Sequence, residues 1–499
     1  MPLACHDLAF LPGDIFWMIL AYLDPHDIIR NRRVSRAWHE AFSNPSILLP
    51  RLKYEFSRTE EAKALEKGTI DVIQGRQLFD QVAARYDHLK RAKPRGIKKY
   101  RLCDVFGSSR QREWFPVQPW EYHSSHDTGN VDVQFEEALW SFDDGLLVFP
   151  SAESQGLVLL DLKLDRQFKV PFTTTGKVVR RVRIQKRLLV VEWAEPMAFH
   201  WLNDSDGVHR HFASSFDVVP HEKDVWRVTQ RNEWKIMFLG HPLSERDRFF
   251  STHNNTHYVI YMWQPNRSLY TADEDAPIES LFVWDISKAS PHRPSGYSSA
   301  TLHGGALDDA HAPSIVARFG FRDLDFFSVR QRGTPAISRL SVTDDSQAIE
   351  ITENFLHDST GEDIPDLEAG TGSRLCRTTS IPVIGNGPHG RTLHGNMLPV
   401  YRGNCSLQSE FLGYSTSFGS DWTDVIAQVS VPDLDIGFCL YFGPDDTNQK
   451  TIRLGVWTHD SDFNRANVDF AGRAKLCGCD RYLVGENTSR ELVVYHFDR

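Results

Sequence analysis

The sequence lacks the features that mark several large classes of protein. It contains no apolar run near the roughly 18 residues of a membrane-spanning helix, so we expect no membrane contact. Its seven cysteines are odd in number and widely spread, which does not describe a disulfide framework and indicates a reducing compartment. Acidic residues outnumber basic ones, 66 to 56, giving a net charge of −10. Because nucleic-acid binding depends on neutralising phosphates, we expect no nucleic-acid partner.

The composition is otherwise that of a globular protein with an excess of aromatic residues. Hydrophobic residues make up 41% of the 499 positions, and there are 31 Phe and 13 Trp. A chain of this length is too long for one compact core, so two or more domains are expected. Abundant aromatic residues favour sheet-rich packing over a helical bundle.

The N-terminal residues, from 11 to about 57, have the spacing of helices. Ile15, Ile19 and Leu23 recur every four residues and form one apolar face. The pairs Asp24-Pro25 and Asn44-Pro45 each end one helix and begin the next. Helical spacing continues from residue 58 to residue 89, so the sequence predicts an all-α N-terminal region.

A basic segment, Lys90–Arg101, follows these helices. Two interpretations stay open: a signal for nuclear import or an acidic partner, or a solvated linker at the protein surface. We place the main domain boundary here.

Beyond residue 101 the sequence changes to short apolar runs separated by Gly, Asn, Asp and Pro. This texture predicts an all-β domain of about 400 residues. A domain of that size suits radial repetition of small sheets, so we expect a degenerate β-propeller of about six to eight blades. The repeat period cannot be fixed, because the segments between runs are uneven. The runs are residues 145–149, 156–162, 187–193, 256–263, 280–286, 451–457 and 491–497.

The first 50 residues contain a recognisable motif. Leu11-Pro12 is followed by Asp14-Ile15, Ile19-Leu20 and Leu23, and then by Asp27-Ile28 and Val34-Ser35-Arg36-x-Trp38. In this order and at this spacing, the segment resembles the F-box family over about 45 residues. It departs from the family at Arg30–Arg33, where an apolar residue is usual before the valine. We interpret this departure as a weak point in helix packing.

The resemblance implies that residues of the box contact a Skp adaptor. A module of about 45 residues is near the lower size limit for independent folding, so an apolar face left for a partner is expected. Val34 and Trp38 are expected to hold the core of the box together. The expected adaptor-binding residues are Leu11, Pro12, Ile15, Phe16, Ile19, Leu20, Leu23 and Ile28.

The resemblance also implies a role for the whole chain. It would be the substrate-recognition subunit of a Skp-cullin-F-box ubiquitin ligase, cytoplasmic or nuclear, reaching a cullin-RING ligase through the adaptor. Its protein substrate is unknown. The corresponding division is an F-box at 8–57, a helical linker with a basic segment at 58–101, and a β-propeller-like substrate-receptor domain at 102–499. An alternative is a ligase-independent scaffold bound to the adaptor.

The sequence contains no convincing motif for catalysis, a metal or a cofactor, so we expect a protein that is not itself an enzyme. Cys477 and Cys479 are too close together for a typical zinc site. His253 and His257 lie four apart but lack the glutamate of a zinc protease helix. The Gly-rich residues 385–390 lack a strand-to-helix context. A second alternative, a propeller-fold enzyme located by its F-box, would need histidines and acids to converge in space.

Overall fold

The structure is a computed structural model that describes most of the chain. The described residues are 11–57, 59–68, 72–103, 139–201, 207–222, 224–236, 243–244, 247–264, 277–296, 313–332, 336–343, 345–356, 374–383, 425–431, 436–444, 450–458, 461–470 and 475–498. The chain forms two compact units. One consists of residues 1–100 with residues 424–499, and the other consists of residues 101–423.

The described residues of the first unit begin with six helices, and polar side chains cap the start of four of them. The side chains of Asp24, Ser35, Asn44 and Thr59 each accept a hydrogen bond from a backbone N–H in the first turn, which satisfies a donor that the helix itself leaves free. The helices are α1 (Gly13–Leu20), α2 (Pro25–Asn31), α3 (Arg36–Ala41), α4 (Pro45–Glu55), α5 (Glu60–Glu66) and α6 (Val72–Lys90). The helix boundaries predicted at Asp24-Pro25 and Asn44-Pro45 are confirmed.

These helices share one apolar core, and α6 is part of it. Leu20, Phe42 and Leu52 are fully buried together with Phe79 and Val82 of α6. Gly75 of α6 lies so close to Leu49 of α4 that a Cβ at this position would collide with the leucine side chain. The box is therefore built on α6 and is not a separate module.

The first unit also contains two antiparallel sheets. One has the order β19-β20-β21-β22, and the other has the order β1-β25-β24-β23, in which β1 comes from the N-terminal side of the chain. The strands are β1 (Gly96–Arg101), β19 (Val425–Val431), β20 (Ile436–Pro444), β21 (Lys450–Thr458), β22 (Ser461–Asn467), β23 (Cys477–Gly478), β24 (Tyr482–Glu486) and β25 (Glu491–His496).

In the second unit, the described residues form the remaining strands and one short helix. Its strands are β2 (Ser141–Asp143), β3 (Leu146–Ser151), β4 (Gly156–Asp161), β5 (Arg166–Lys169), β6 (Val178–Gln185), β7 (Leu188–Ala194), β8 (His200–Trp201), β9 (Gly207–Val208), β10 (His211–Glu222), β11 (Val225–Lys235), β12 (Arg248–His253), β13 (His257–Gln264), β14 (Ile278–Asp285), β15 (Ser314–Phe319), β16 (Ile337–Val342), β17 (Ala348–Leu356) and β18 (Arg374–Pro382). The helix is α7 (Phe321–Phe326). The sheets have the orders β2-β3-β4-β5, β6-β7-β10-β11, β12-β13-β14-β15, β16-β17-β18 and β8-β9.

The coarse prediction of a small helical N-terminus and a large β-rich region of several separate sheets is confirmed. Each of the seven predicted apolar runs matches a strand to within one residue beyond its ends. The basic segment has regular secondary structure at both ends, because Lys90 ends α6 and Gly96–Arg101 form β1. The blade count and the division into 8–57, 58–101 and 102–499 stay predictions. The Gly-rich residues 385–390 lie outside the described residues.

Candidate functional site

Helix α1 has two apolar faces, one buried and one exposed. Phe16 and Leu20 point into the helical core, where they are 5% and 0% exposed. Ile15, Met18 and Tyr22 are 44%, 66% and 90% exposed. Ile15 and Met18 lie on one side of α1, because 3.6 residues make one turn of a helix, and Tyr22 lies in the turn that follows the helix. We call Ile15, Met18 and Tyr22 the exposed stripe of α1.

The structure separates the eight predicted adaptor-binding residues into three groups. Pro12 and Ile15 are exposed, and Leu11, Ile19 and Leu23 are partly buried. The remaining three, Phe16, Leu20 and Ile28, are buried among the helices. Because buried side chains present no surface, these three differ from the expected docking strip and hold the helices together.

The two predicted core residues also lie in different environments. Trp38 is partly buried and stacks on Phe42, with ring centroids 5.3 Å apart. Val34 is 61% exposed, so the structure places it outside the core. The reason is local: Val34 lies in the turn between α2 and α3, just before the N-cap Ser35.

Met18 and Tyr22 were missed from the sequence. The signal was present, because they follow Ile15 by three and seven residues and so continue its face of the helix. The family motif directed attention to Ile19 and Leu20. Spacing alone does not say which apolar face of α1 is turned towards the helical core.

Arg51 of α4 fixes the end of α1 beside this site. Its guanidinium donates hydrogen bonds to the backbone carbonyls of Leu20 and Leu23, the second at 2.7 Å. It also pairs with Glu55 at 2.8 Å. Carbonyls at the C-terminus of a helix have no partner within the helix and carry partial negative charge, so a buried arginine orients the end of α1 and the turn that carries Tyr22.

Arg32 explains the departure from the family motif at Arg30–Arg33. Its side chain is buried and donates to both carboxylate oxygens of Asp80 in α6, at 2.7 Å each. Its Nε donates to the carbonyl of Phe42 at 3.0 Å. The interpretation of this run as a weak point is therefore wrong at Arg32, which joins α2, α3 and α6 through charge-assisted hydrogen bonds.

His253, one of the two histidines considered as a zinc ligand, is buried and hydrogen-bonded to the backbone. His253 is 1% exposed, and its Nε2 lies 3.0 Å from the carbonyl oxygen of Leu188. Burial lowers the pKa of His253 to about 3, so the ring stays neutral. In the part of the chain that the structure describes, no group of three or more His, Cys, Asp or Glu residues could hold a metal ion. Within the same residues, no helix is long and apolar enough to cross a membrane.

Comparison with known protein families identifies the same N-terminal helices. The F-box-like family model matches residues 8–51, which cover α1, α2, α3 and most of α4. The chain thus carries an N-terminal F-box-like domain followed by a large all-β region, and the resemblance read from the sequence is confirmed.

Other similarities are weak. No curated protein matches the chain in sequence. A solved glucose dehydrogenase is 13% identical, with 71% of this chain and 94% of that chain covered and a TM-score of 0.26. An acylaminoacyl peptidase from Pyrococcus horikoshii is 8% identical, with 62% of this chain and 36% of that chain covered and a TM-score of 0.21. At these TM-scores neither structure bears on the activity of this chain.

Proposed function

We propose that this chain is the substrate-recognition subunit of a Skp-cullin-F-box ubiquitin ligase. The observation that carries the proposal is the exposed stripe of α1, which lies within the residues that match the F-box-like family. Large side chains of this kind that stay exposed on a folded chain are typical of a surface for a partner.

The geometry of α1 supports adaptor binding of the helix-in-groove kind. Phe16 and Leu20 hold one side of the helix against the core, so the opposite side can meet a partner without any rearrangement. Burying side chains such as Ile15 and Met18 contributes roughly 1.5–3 kcal/mol each. Leu11 and Pro12 precede the helix and would extend the contact at its N-terminus.

We further propose that the sheets form a degenerate β-propeller that holds a protein target. Two observations support this. Within the described residues, six sheets of three or four antiparallel strands follow one another along the chain. In addition, β1 adds a fourth strand to the sheet formed by the last three strands, the pairing expected where a ring of sheets closes.

In this proposal the chain has no active site of its own. The adaptor and cullin bring a ubiquitin-charged enzyme close to a target that is held by the β region. The contribution of the chain is then proximity, since a tethered lysine meets the charged enzyme at a high effective concentration.

The test is affinity purification of the full chain, as wild type and as the double variant Leu11→Asp with Pro12→Ala. We expect the wild type to capture both the Skp adaptor and a cullin, and the double variant to lose both, because a charge is placed in an apolar contact. Equal capture of the adaptor by both forms would refute the docking assignment. Capture of the adaptor without a cullin would favour the ligase-independent scaffold.

Point variants suit this experiment better than removal of residues 1–57. Such a deletion would expose Phe79 and Val82, which α6 buries against the box. A loss of binding would then have two causes. As a control, Tyr54→Asp changes a side chain of α4 that is 83% exposed and lies outside the exposed stripe.

A further inference from the structure

Helix α6 belongs to two hydrophobic cores of the first unit. Phe79, Val82 and Ala83 lie in the core of the helical box. Leu89 at the end of α6 lies in a second core with residues of the two sheets, including Leu483 of β24. Tyr86 packs against both. One continuous helix therefore carries apolar contacts from the box to the last strands of the chain.

A buried ionic cluster lies where these two cores meet. The side chain of Arg85 is 0% exposed and contacts the carboxylates of Glu61, Asp480 and Asp498 at 3.1, 3.0 and 3.3 Å. Arg481 lies 2.8 Å from Glu61 and 3.8 Å from Asp498. Two of the three acids around Arg85 come from the end of the chain, so the arginine has its complete set of partners only when the C-terminal strands are folded.

The same dependence holds for β1, which follows the C-terminal end of α6. The backbone N–H of Arg95 donates to the carbonyl of His496 at 2.7 Å, and β1 is paired with β25. Without β25, the segment after α6 would have no strand to pair with.

From these contacts we infer that the helical box and the C-terminal sheet fold as one cooperative unit, so that the C-terminal strands control whether the box is folded. The consequence, which rests on the proposed function, is that the chain binds its adaptor only when its C-terminal strands are in place. A truncated or unfinished chain would be excluded from the ligase. The exposed stripe of α1 itself makes none of these contacts. The C-terminal strands therefore act on the box through α6.

Hydrogen exchange on the full chain tests the inference. Leu483→Ala removes a fully buried side chain from β24 and leaves a cavity. The expected result is a fall in the protection of β24 amides on the order of 100-fold, with an equal fall for the amides of α4 and α6. As a matched control, Thr488→Ala at an exposed position of the β24–β25 turn should leave both regions unchanged. Full protection of the helices in the Leu483→Ala protein would overturn the inference.

A reciprocal variant excludes an effect confined to the sheet. Leu52→Ala creates a cavity in the helical box, and coupling requires it to lower protection of β24 and β25 by the same factor as in α4. Unchanged protection of the strands would equally overturn the inference. Neither measurement uses the adaptor, so failure of the proposed function and failure of this inference can be told apart.

Discussion

Arg85 of α6 and Glu61 of α5 form a bidentate ion pair, with each terminal nitrogen of the guanidinium 3.1 Å from a different carboxylate oxygen. Burial raises the pKa of Glu61, but the hydrogen bonds and charge of Arg85 outweigh it, so that the pKa is lowered overall. Burial also raises the pKa of Asp480, and there the nearby guanidinium does not fully compensate. The cluster therefore lowers the pKa of Glu61 and leaves the pKa of Asp480 raised.

Replacement of Arg85 should be strongly destabilising. Arg85→Met removes the guanidinium that contacts both Glu61 and Asp480 and leaves Glu61 with Arg481 alone, and breaking a buried ion pair costs roughly 3–5 kcal/mol. Urea unfolding of the full chain measures the change. The control is Arg36→Met, because the Arg36 side chain is 94% exposed in its pair with Glu40 and such pairs contribute about 0.3–0.5 kcal/mol. Equal effects of the two variants would contradict this role of Arg85.

Arg32 and Arg33 are neighbours in the segment that departs from the family motif, and replacing them should have different effects on stability. Arg32→Met removes the hydrogen bonds to Asp80 and to the Phe42 carbonyl, and each bond with a charged partner contributes about 1.5–3 kcal/mol. Arg33→Met, at an exposed position, should change stability by less than about 0.5 kcal/mol. Thermal unfolding of the two variants makes the comparison. A similar melting temperature for both would show that Arg32 does not stabilise the box.

Because two histidines are buried, we expect the protein to lose stability in mild acid. Burial lowers the pKa of His253 to about 3, and burial, together with the charge of Arg180, holds the pKa of His211 well below its ordinary value. The unfolded chain takes up a proton at each ring below about pH 6.5, whereas the folded chain does not. Their contribution to stability is therefore complete above pH 6.5 and falls as the pH drops towards 3.

Each such histidine changes the free energy of unfolding by at most about 1.4 kcal/mol per pH unit. Urea unfolding of the wild type at pH 7.5, 6.5 and 5.5 should show it, and His253→Gln should make the slope shallower. His200→Gln, at an exposed position, serves as the control. If the free energy of unfolding of the His253→Gln protein depended on pH as steeply as that of the wild type, His253 would not cause the loss of stability.

The sequence located the elements better than it located their contacts. Helix starts at Asp24 and Asn44 were predictable, because capping and proline effects act within a few residues. Seven of the strands were predictable from local apolar runs. The partners of Arg85 were not, since Asp498 lies 413 residues away and no local pattern joins the two. The burial of Arg32 was missed for the same reason: its partner Asp80 lies 48 residues further along the chain.

The family motif had a similar limit. It identified the box, but it did not separate residues that hold the box together from those that face outwards. Leu20 and Ile15 both belong to the motif, yet one is 0% and the other 44% exposed. Tertiary packing decides which side of α1 is covered, and Phe16 on the covered side contacts Phe42 with ring centroids 5.1 Å apart.

The most direct test of the central claim is calorimetric titration of the purified Skp adaptor into the full chain carrying Ile15→Asp or, as the control, Tyr54→Asp. Both changes place a carboxylate at an exposed position, so neither should alter folding. Placing an unpaired charge in an apolar contact should cost at least about 3 kcal/mol of binding, so we predict that Ile15→Asp weakens adaptor binding by a factor on the order of 100 or more. We predict that Tyr54→Asp binds like the wild type. Wild-type affinity in the Ile15→Asp protein would contradict the claim that α1 docks the adaptor.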